Sequence, residues 1–389
     1  MSALSGKRLV VVLSTLGLGG AEGQALLLAR GLQARGAEVL VWALSPAAAD
    51  EAPLHARCRA LGIVPELRRC GWPRPRPRRL AGLARFAAWL RLARADAVLP
   101  FCAAPNLVAG LSWRAGGARL CVWNQRDAGL DLTGAPLERL AARLSPLVVS
   151  NSLHGARRLS EVLEVDPARV THLPNAVELA PPGRAPAAWR ATLGVSEATF
   201  VAVMLASLSA DKDHATLLRA WARVRERRAD ALLLLAGADA GTGPRLRDLA
   251  RELGLAEGVR FLDRVEDVSG LLGAADLLVH SSRAEGLPNA VLEGMAAGRV
   301  VVATDTPGAR EALAAGRADL AGDLAPQLAP VGAARALADA LVRWLEDAPG
   351  RAAAGAANRA RVAELGAEHL CARFAWFLEE ALQTRGRRS

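Results

Sequence analysis

The feature that most constrains the fold is a repeated alternation of short apolar runs with longer amphipathic stretches. The short runs are rich in Val, Leu and Ala, as is typical of strands buried on both faces of a parallel sheet. The stretches between them have the spacing of amphipathic helices. The predicted strands are Leu9–Leu13, Val39–Leu44, Ala97–Leu99, Leu120–Trp123, Leu147–Val149, Phe200–Leu205, Ala231–Leu235, Val259–Leu262, Leu277–His280 and Val300–Ala303. The sequence therefore predicts an α/β fold with parallel sheets.

A Pro/Gly cluster at residues 181–186 interrupts this alternation and has the composition of a linker. We therefore predict two doubly wound, Rossmann-like domains, 1–180 and 181–365, each of ordinary domain size. The chain then continues as a C-terminal helix, 366–389, whose apolar side we expect to pack back on the first domain. Two such domains facing each other would leave a cleft at the carboxyl ends of their strands, where open α/β sheets bind ligands.

Composition limits the compartment and singles out one side chain. Lys7 and Lys212 are the only lysines among 49 basic residues, and the rest are arginines. This preference for arginine is typical of a GC-rich genome and carries little functional information. Lys212 departs from the preference and is therefore informative. The five cysteines are scattered without metal-ligand spacing, which favours a reducing cytosol. No apolar run reaches the roughly 18 residues that span a bilayer, and residues 7–18 are better read as a first strand than as a signal peptide. We expect a cytoplasmic protein.

The positive charge lies in the first half of the chain. Residues 1–178 hold 23 Lys and Arg against 13 Asp and Glu, which accounts for the whole net charge of +10. Such a half either has a solvated arginine-rich surface or binds anions such as phosphates and lipid headgroups. The segment Trp72–Arg79 is either a basic loop before a core helix or a patch that faces a membrane or a polyanion. Nucleic acid is disfavoured, because no stacking aromatics accompany the arginines.

The strongest functional pattern is residues 281–295, which begin where the predicted strand Leu277–His280 ends. Residues 285–288 are expected to form a loop, and a helix is expected to start near Asn289. A helix start presents backbone N–H groups and a positive dipole end to an anion. Glu285 would lie on the loop and Glu293 one turn into the helix. The alternative is an ordinary strand–loop–helix unit with acids near the helix start.

This pattern resembles the Glu-x7-Glu signature of the retaining family 4 glycosyltransferases (glycosyl transferases group 1), which have the GT-B fold. The resemblance extends along the chain in the family's order and spacing. Its further landmarks are Gly17–Glu22, Val149–Ser152, Leu173–Val177, Lys212–His214, Ala274–Leu277 and Gly308–Glu311.

The resemblance implies a role for each matching residue. Lys212 would neutralise the diphosphate of a nucleotide-sugar donor, Glu293 would hold the ribose hydroxyls, and Glu285 would face the transferred sugar. The backbone N–H groups from Gly286 through Leu287 and Pro288 to Asn289 would cradle the phosphates, although Pro288 has no N–H to donate. Gly19 and Gly20 would let the first domain approach the diphosphate closely. The chemistry is electrostatic stabilisation of the leaving diphosphate.

The chain departs from the family pattern at one important position. Many members carry an arginine five residues before the lysine, where this chain has Ser207. We still place Ser207 in the donor site, and Arg264, Arg283 or Arg310 would have to supply the missing cation. Of these three we include Arg264 among the donor-binding residues. Alanine after Asn175, and Asp263, also stand where the family usually has glycine.

Three weaker patterns complete the sequence reading. Gly17-x-Gly19 has Glu22 where a dinucleotide fingerprint needs glycine, which disfavours NAD. Asp211-Lys212-Asp213 matches a manganese motif of another glycosyltransferase fold by coincidence, so we predict no metal and no cofactor. Residues 123–127 follow a strand and are either a salt-bridged loop or part of the ligand site. In the second case Arg126 contacts donor or acceptor, and we count it with Glu285 and Lys212 as catalytic.

Together these patterns predict a GT-B hexosyltransferase acting with retention of configuration. The expected acceptor is a lipid-linked or oligosaccharide intermediate in surface polysaccharide or glycolipid synthesis, with peripheral attachment to the inner membrane face left open. Two alternatives remain, namely a GT-B module that binds nucleotide sugar without catalysis, and a GT-B sugar-nucleotide epimerase.

Overall fold

The computed structural model describes residues 4–386 except Leu18, residues 47–51, 71–75 and 315–323, and residue 325. The chain divides into two compact units. Unit 1 contains Met1–Ala176 and Ala367–Ser389, and unit 2 contains Val177–Gly366.

Unit 1 contains a seven-stranded sheet in which every described pairing is parallel. Its strands are β1 (Arg8–Leu13), β2 (Glu38–Ala43), β3 (Glu66–Leu67), β4 (Ala97–Pro100), β5 (Leu120–Gln125), β6 (Leu147–Ser150) and β7 (Val170–His172). Its helices up to residue 163 are α1 (Gly20–Gln33), α2 (Ala52–Ala60), α3 (Arg76–Ala93), α4 (Ala103–Ser112), α5 (Pro136–Leu144) and α6 (Leu153–Leu163). The strand order is β3-β2-β1-β4-β5-β6-β7.

Both faces of this sheet are buried, as the continuous apolar strands predict. Successive side chains of a strand point to opposite faces. In β1, Leu9 and Val11 accordingly belong to the cluster that contains α1, whereas Val10 and Val12 belong to the cluster that contains α3 and α4. The unit is therefore doubly wound.

Unit 2 contains a six-stranded sheet, again with parallel pairings throughout its described strands. Its strands are β8 (Val201–Leu205), β9 (Leu232–Ala236), β10 (Val259–Leu262), β11 (Leu277–His280), β12 (Val300–Thr304) and β13 (Leu328–Ala329). Its helices are α7 (Pro186–Thr192), α8 (His214–Arg227), α9 (Gly243–Glu252), α10 (Val268–Ala274), α11 (Asn289–Ala296), α12 (Pro307–Ala314), α13 (Ala334–Glu346) and α14 (Ala348–Val362). The order β10-β9-β8-β11-β12-β13 places β8 beside β11 at its centre.

The final helix, α15 (Ala367–Gly386), packs on α1 of unit 1. Its buried side includes Phe374, Leu378 and Leu382, which join the cluster around β1 and α1. Within the described residues, no helix combines the length and the apolar character that crossing a membrane requires.

The first unit ends four residues before the boundary we expected at 180. The backbone N–H of Val177 donates to the carbonyl of Leu365 at 2.9 Å, so the chain already pairs with unit 2 at that residue. The Pro/Gly cluster therefore lies inside unit 2, where the N–H groups of Gly183 and Arg184 donate to Asp267. The predicted fold class is confirmed, with two parallel sheets covered by helices.

Candidate functional site

The loop between β11 and α11 carries the predicted motif. β11 ends at His280 and α11 begins at Asn289 with Pro288 as its N-cap, so the predicted helix start is confirmed. Ser281 and Ser282 directly after the strand are fully buried, and the side chain of Glu285 is 11% exposed. The carboxyl end of a central parallel strand thus places Glu285 at the sheet edge where ligands bind in open α/β folds.

Three side chains converge on one oxygen of Glu285. Its Oε1 atom lies 2.7 Å from Lys212 Nζ, 2.9 Å from His280 Nε2 and 2.7 Å from Ser282 Oγ. Among the described residues none donates a hydrogen bond to Oε2. The carboxylate is therefore fixed through one oxygen, and the other accepts no hydrogen bond from the described residues.

This environment sets the ionisation of Glu285. Burial alone would raise the pKa of the carboxyl group, but the hydrogen bond and charge of His280, followed by those of Lys212, lower it well below the ordinary 4.5. Glu285 is consequently an anion at neutral pH and a weak proton acceptor. Its stabilising contribution is present above pH 4.5 and declines as the pH falls below that value.

Lys212 is positioned by the loop that follows β8. A 3-10 turn, Ala210–Lys212, leads to Asp213 in the left-handed conformation (φ 46°), after which α8 begins. Hydrogen bonds that join this loop to the motif loop include those from Ser281 Oγ to the Lys212 carbonyl (3.1 Å) and from Arg283 N to the Asp211 carbonyl (2.8 Å). The structure thus brings together Lys212 and Glu285, which are 73 residues apart.

Sequence reasoning did not assign functions to His280 and Ser282. Ser282 is held by Thr304, whose Oγ1 accepts from Ser282 N at 2.8 Å and donates to Ser282 O at 2.6 Å. The available signal was position, since His280 and Thr304 are the last residues of adjacent strands β11 and β12. Polar residues at the carboxyl ends of neighbouring parallel strands lie at one edge of the sheet.

Gly308, in the first turn of α12, lies directly against the Glu285 loop. A Cβ atom at this position would be 1.7 Å from the carbonyl oxygen of Gly286 and 2.6 Å from that of Glu285. Both atoms belong to backbone, so relief of the clash requires the loop or the helix to move. Glycine at 308 therefore sets the position of Glu285.

We expect Gly308→Ala to weaken binding of a nucleoside diphosphate and to lower the free energy of unfolding by about 1–3 kcal/mol, because overpacking displaces the loop. Gly23→Ala is the matched control, since Gly23 is also helical and its added Cβ would meet nothing within 4 Å. Urea unfolding and calorimetric titration with UDP and GDP measure both effects. Equal stability and affinity in the two variants would contradict the argument.

His214, the first residue of α8, is a buried histidine beside this cluster. Among the described residues neither ring nitrogen has a hydrogen-bond partner. Burial, followed by the charges of His280 and Lys212, lowers the pKa of His214 from 6.5 to about 4. The unfolded chain therefore binds this proton at a higher pH than the folded protein does.

Because of this difference, the protein should lose stability as the pH falls from about 6.5 to 4, by at most about 3 kcal/mol from His214 alone. His214→Leu removes the titrating group, so the stability of this variant should decline less over the same range. Urea midpoints at pH 7 and pH 5 measure the two slopes. The same decline in both proteins would rule out His214 as its source.

The other residues of unit 2 that we predicted to bind the donor differ in burial and in their carboxylate contacts. Glu293 is half-buried in α11, and Ser207 is half-buried two residues after β8. Among the three candidate arginines, Arg310 pairs with Asp305 (2.5 Å) and Arg283 lies 3.5 Å from Asp213. Arg264 has no carboxylate partner among the described residues.

Three predicted site residues belong to unit 1. Gly19 is the N-cap of α1 and Gly20 its first residue, so both lie at the carboxyl end of β1. Arg126 directly follows β5 and is buried, and within the described chain no carboxylate oxygen lies within 4.0 Å of its guanidinium. Residues 123–127 were interpreted as either a salt-bridged loop or part of the ligand site. For Arg126 the first interpretation is wrong, because the described residues provide it with no ion pair.

The basic segment before α3 is only partly described, because residues 72–75 lie outside the described chain. The helix that follows contributes Phe86 and Leu90 to the core of unit 1, both fully buried. Its apolar face is thus used inside the unit, as expected for a core helix.

Comparison with known families and proteins follows the same two-unit division. The model of Glycosyltransferase Family 4 matches residues 18–180, and that of Glycosyl transferases group 1 matches residues 199–347. Together the two models match about four-fifths of the chain.

Sequence relatives of the chain are also glycosyltransferases by name. EpsD of Bacillus subtilis is 37% identical over 118 residues, 30% of this chain and 31% of EpsD. A D-inositol 3-phosphate glycosyltransferase of Kineococcus radiotolerans is 32% identical over 246 residues, 58% of this chain and 55% of that protein. The chain thus matches 31% of the length of the first of these relatives and 55% of the second.

Similarity of structure covers nearly the whole chain. HepE of Anabaena, solved with UDP and glucose, superposes with a TM-score of 0.80 at 20% identity over 96% of this chain and 100% of HepE. Sucrose-phosphate synthase of Thermosynechococcus elongatus gives a TM-score of 0.76 at 18% identity over 97% of this chain and 100% of the synthase. The chain therefore belongs to the family 4-like glycosyltransferases and has their GT-B fold.

Proposed function

We propose that the protein transfers a hexose from a nucleoside-diphosphate donor to a hydroxyl acceptor with retention of configuration. The observation that carries this proposal is the Lys212–Glu285 pair at the carboxyl end of the central strands of unit 2, in which one carboxylate oxygen accepts three hydrogen bonds and the other accepts none from the described residues. Family membership supports the same reaction.

Lys212 is suited to hold the donor diphosphate. The Lys212 side chain is 22% exposed, and its ammonium group lies 2.7 Å from Glu285 and 3.6 Å from Asp211. A diphosphate carries more negative charge than either carboxylate, so it would compete for Lys212. As the bond to the sugar breaks, charge develops on the leaving diphosphate, and a fixed cation stabilises it.

Glu285 is suited to accept a hydrogen bond from a sugar hydroxyl and to stabilise positive charge on the reacting sugar ring. Its low pKa makes it a poor general base, which argues against hydrolytic acid–base chemistry. Front-side attack, in which the leaving diphosphate takes the acceptor proton, needs no enzymic nucleophile and gives retention.

Other residues complete the proposed donor site. Glu293 would bind the ribose from α11, the backbone of residues 286–289 would bind phosphate at the start of that helix, and Arg264 would replace the family arginine lost at Ser207. Arg264 is favoured over Arg283 and Arg310 because each of these lies beside a carboxylate. A lipid-linked or oligosaccharide acceptor, and contact with an anionic membrane surface, are supported by the net charge of +10 in residues 1–178.

A panel of UDP- and GDP-linked hexoses tests the function. A donor that binds the folded protein raises its melting temperature, and we expect one base to do so consistently. With that donor and an acceptor mixture, proton NMR should show the donor's anomeric configuration in the product. Binding without turnover would favour the non-catalytic module, an altered sugar still attached to nucleotide would favour the epimerase, and the absence of any binding would refute the proposal.

A further inference from the structure

Unit 1 has its own cluster of buried polar side chains at the carboxyl ends of adjacent strands. Cys102 follows β4, Arg126 follows β5, Asn151 follows β6, and Asn175 lies three residues beyond β7. Asn124, the second-to-last residue of β5, and Asn151 are fully buried, and Asn175 is 4% exposed. Neutral amides therefore surround a single cation, Arg126, at the edge of the sheet where ligands bind.

The guanidinium of Arg126 bonds only to neutral oxygens in the described chain. Nη1 donates to Leu173 O and Asn175 Oδ1, both at 3.3 Å, and Nη2 donates to Asn124 Oδ1 at 3.4 Å. These are long hydrogen bonds. Nε has no hydrogen-bond partner among the described residues, and the ring centre of Phe101 lies 5.6 Å from the guanidinium carbon. Burial lowers the pKa of Arg126 to about 10, so the group stays charged at neutral pH.

The neighbouring acids do not neutralise this charge. Asp127 Oδ1 accepts from Gln125 Nε2 (2.5 Å) and from Gly129 N (2.7 Å), so this carboxylate is engaged within its own loop. Glu22 accepts from the backbone N–H groups of Gly19 and Glu22 itself. A buried charge without a counter-ion is costly, and proteins ordinarily pair such a charge or use it to bind a ligand.

The backbone beside Arg126 provides an independent observation. Cys102 has φ 67° and ψ −178°, a conformation that essentially only glycine adopts without strain. Its thiol accepts from the backbone N–H of Arg126, and its own N–H donates to Asn124 O at 3.2 Å. Strain of this kind clusters at functional sites.

We infer that Arg126 binds an anionic group, a phosphate or a carboxylate, on the molecule that unit 1 holds, so that the acceptor is negatively charged. That the bound molecule is the acceptor rests on the proposed function, whereas the presence of an anion site at Arg126 does not. A guanidinium offers paired N–H donors that match the oxygens of both anions. The positive charge of residues 1–178 attracts such a ligand.

Binding of two simple anions tests this inference on the full-length protein. Methyl phosphate and acetate are titrated at constant ionic strength, with sodium chloride as the balancing salt, and the melting temperature is followed. The titration is repeated with Lys212→Met, which removes the expected phosphate contact of unit 2. We expect stabilisation by at least one of the two anions to persist in Lys212→Met, and the more effective anion identifies the ligand chemistry.

Arg126→Gln should weaken that stabilisation at least tenfold in apparent affinity, in both backgrounds. Arg157→Gln is the matched control, because Arg157 is an exposed arginine of the same unit and should change nothing. If Arg126→Gln does not fold, Arg126→Lys replaces it, since a point charge without the planar fork should still bind several-fold more weakly.

Undiminished anion binding in the Arg126 variants would overturn the inference, as would equal losses in the Arg126 and Arg157 variants. A wild-type protein that neither anion stabilises would also overturn it. The probes contain neither sugar nor nucleotide, so the result is independent of transferase activity. Failure of the nucleotide-sugar panel would refute the proposed reaction and leave this site unaffected.

Discussion

Glu285→Gln is expected to reduce the transfer rate by roughly 10²–10³-fold, the usual effect of removing one preorganised electrostatic group. The same change should leave the affinity for nucleoside diphosphate unchanged or raise it a few-fold. The reason is the 2.7 Å ion pair with Lys212, which must yield before Lys212 can bind a diphosphate. Kinetics with a bound donor and calorimetry with its nucleoside diphosphate measure the two effects separately.

Glu252→Gln is the control for this experiment, because Glu252 is exposed on α9 and should affect neither quantity. Parallel losses of transfer and nucleotide affinity in Glu285→Gln would remove the catalytic role and leave Glu285 as a structural or binding residue. A rate close to that of the wild type would exclude both the role and the mechanism built on it.

Lys212→Met should weaken nucleoside-diphosphate binding roughly 10–100-fold, the range expected for loss of a charge-assisted hydrogen bond of about 1.5–3 kcal/mol. Lys212→Arg should bind with intermediate affinity, because the charge remains but the geometry of its donors differs. Calorimetric titration provides the affinities.

The chain offers one natural control, since Lys7 is the only other lysine and lies 3.6 Å from Asp96 in unit 1. Lys7→Met should bind nucleotide as the wild type does. Unchanged affinity in Lys212→Met, or an equal loss in the two variants, would show that Lys212 does not hold the diphosphate.

The sequence predicted every described strand of four or more residues, because the apolar runs of these strands are continuous. β10 and β11 have the predicted bounds, and β1 differs by one residue. β3, β7 and β13 were missed, since they contain only two or three residues each and pairing with a neighbouring strand defines them. No periodic pattern can develop over such short segments.

The sequence predicted only those site residues that lie within a recognisable motif. Glu285 and the start of α11 lie on one segment, and the resemblance to the family's motifs related Lys212 to them. His280 and Ser282 contact Glu285 from only five and three residues away, but these contacts depend on the irregular backbone conformation of the loop, which no periodic pattern in the sequence specifies. Arg126 shows the same limit, because the adjacent Asp127 favours an ion pair in the sequence while the fold directs its carboxylate to Gln125 and Gly129.

The central claim is that Lys212 and Glu285 form the donor site of a glycosyltransferase. A crystal structure with an intact nucleotide sugar tests it most directly. We predict a diphosphate oxygen within about 3.2 Å of Lys212 Nζ, with the sugar ring facing the Oε2 atom of Glu285. A diphosphate bound elsewhere, with Lys212 still paired to Glu285, would contradict the account.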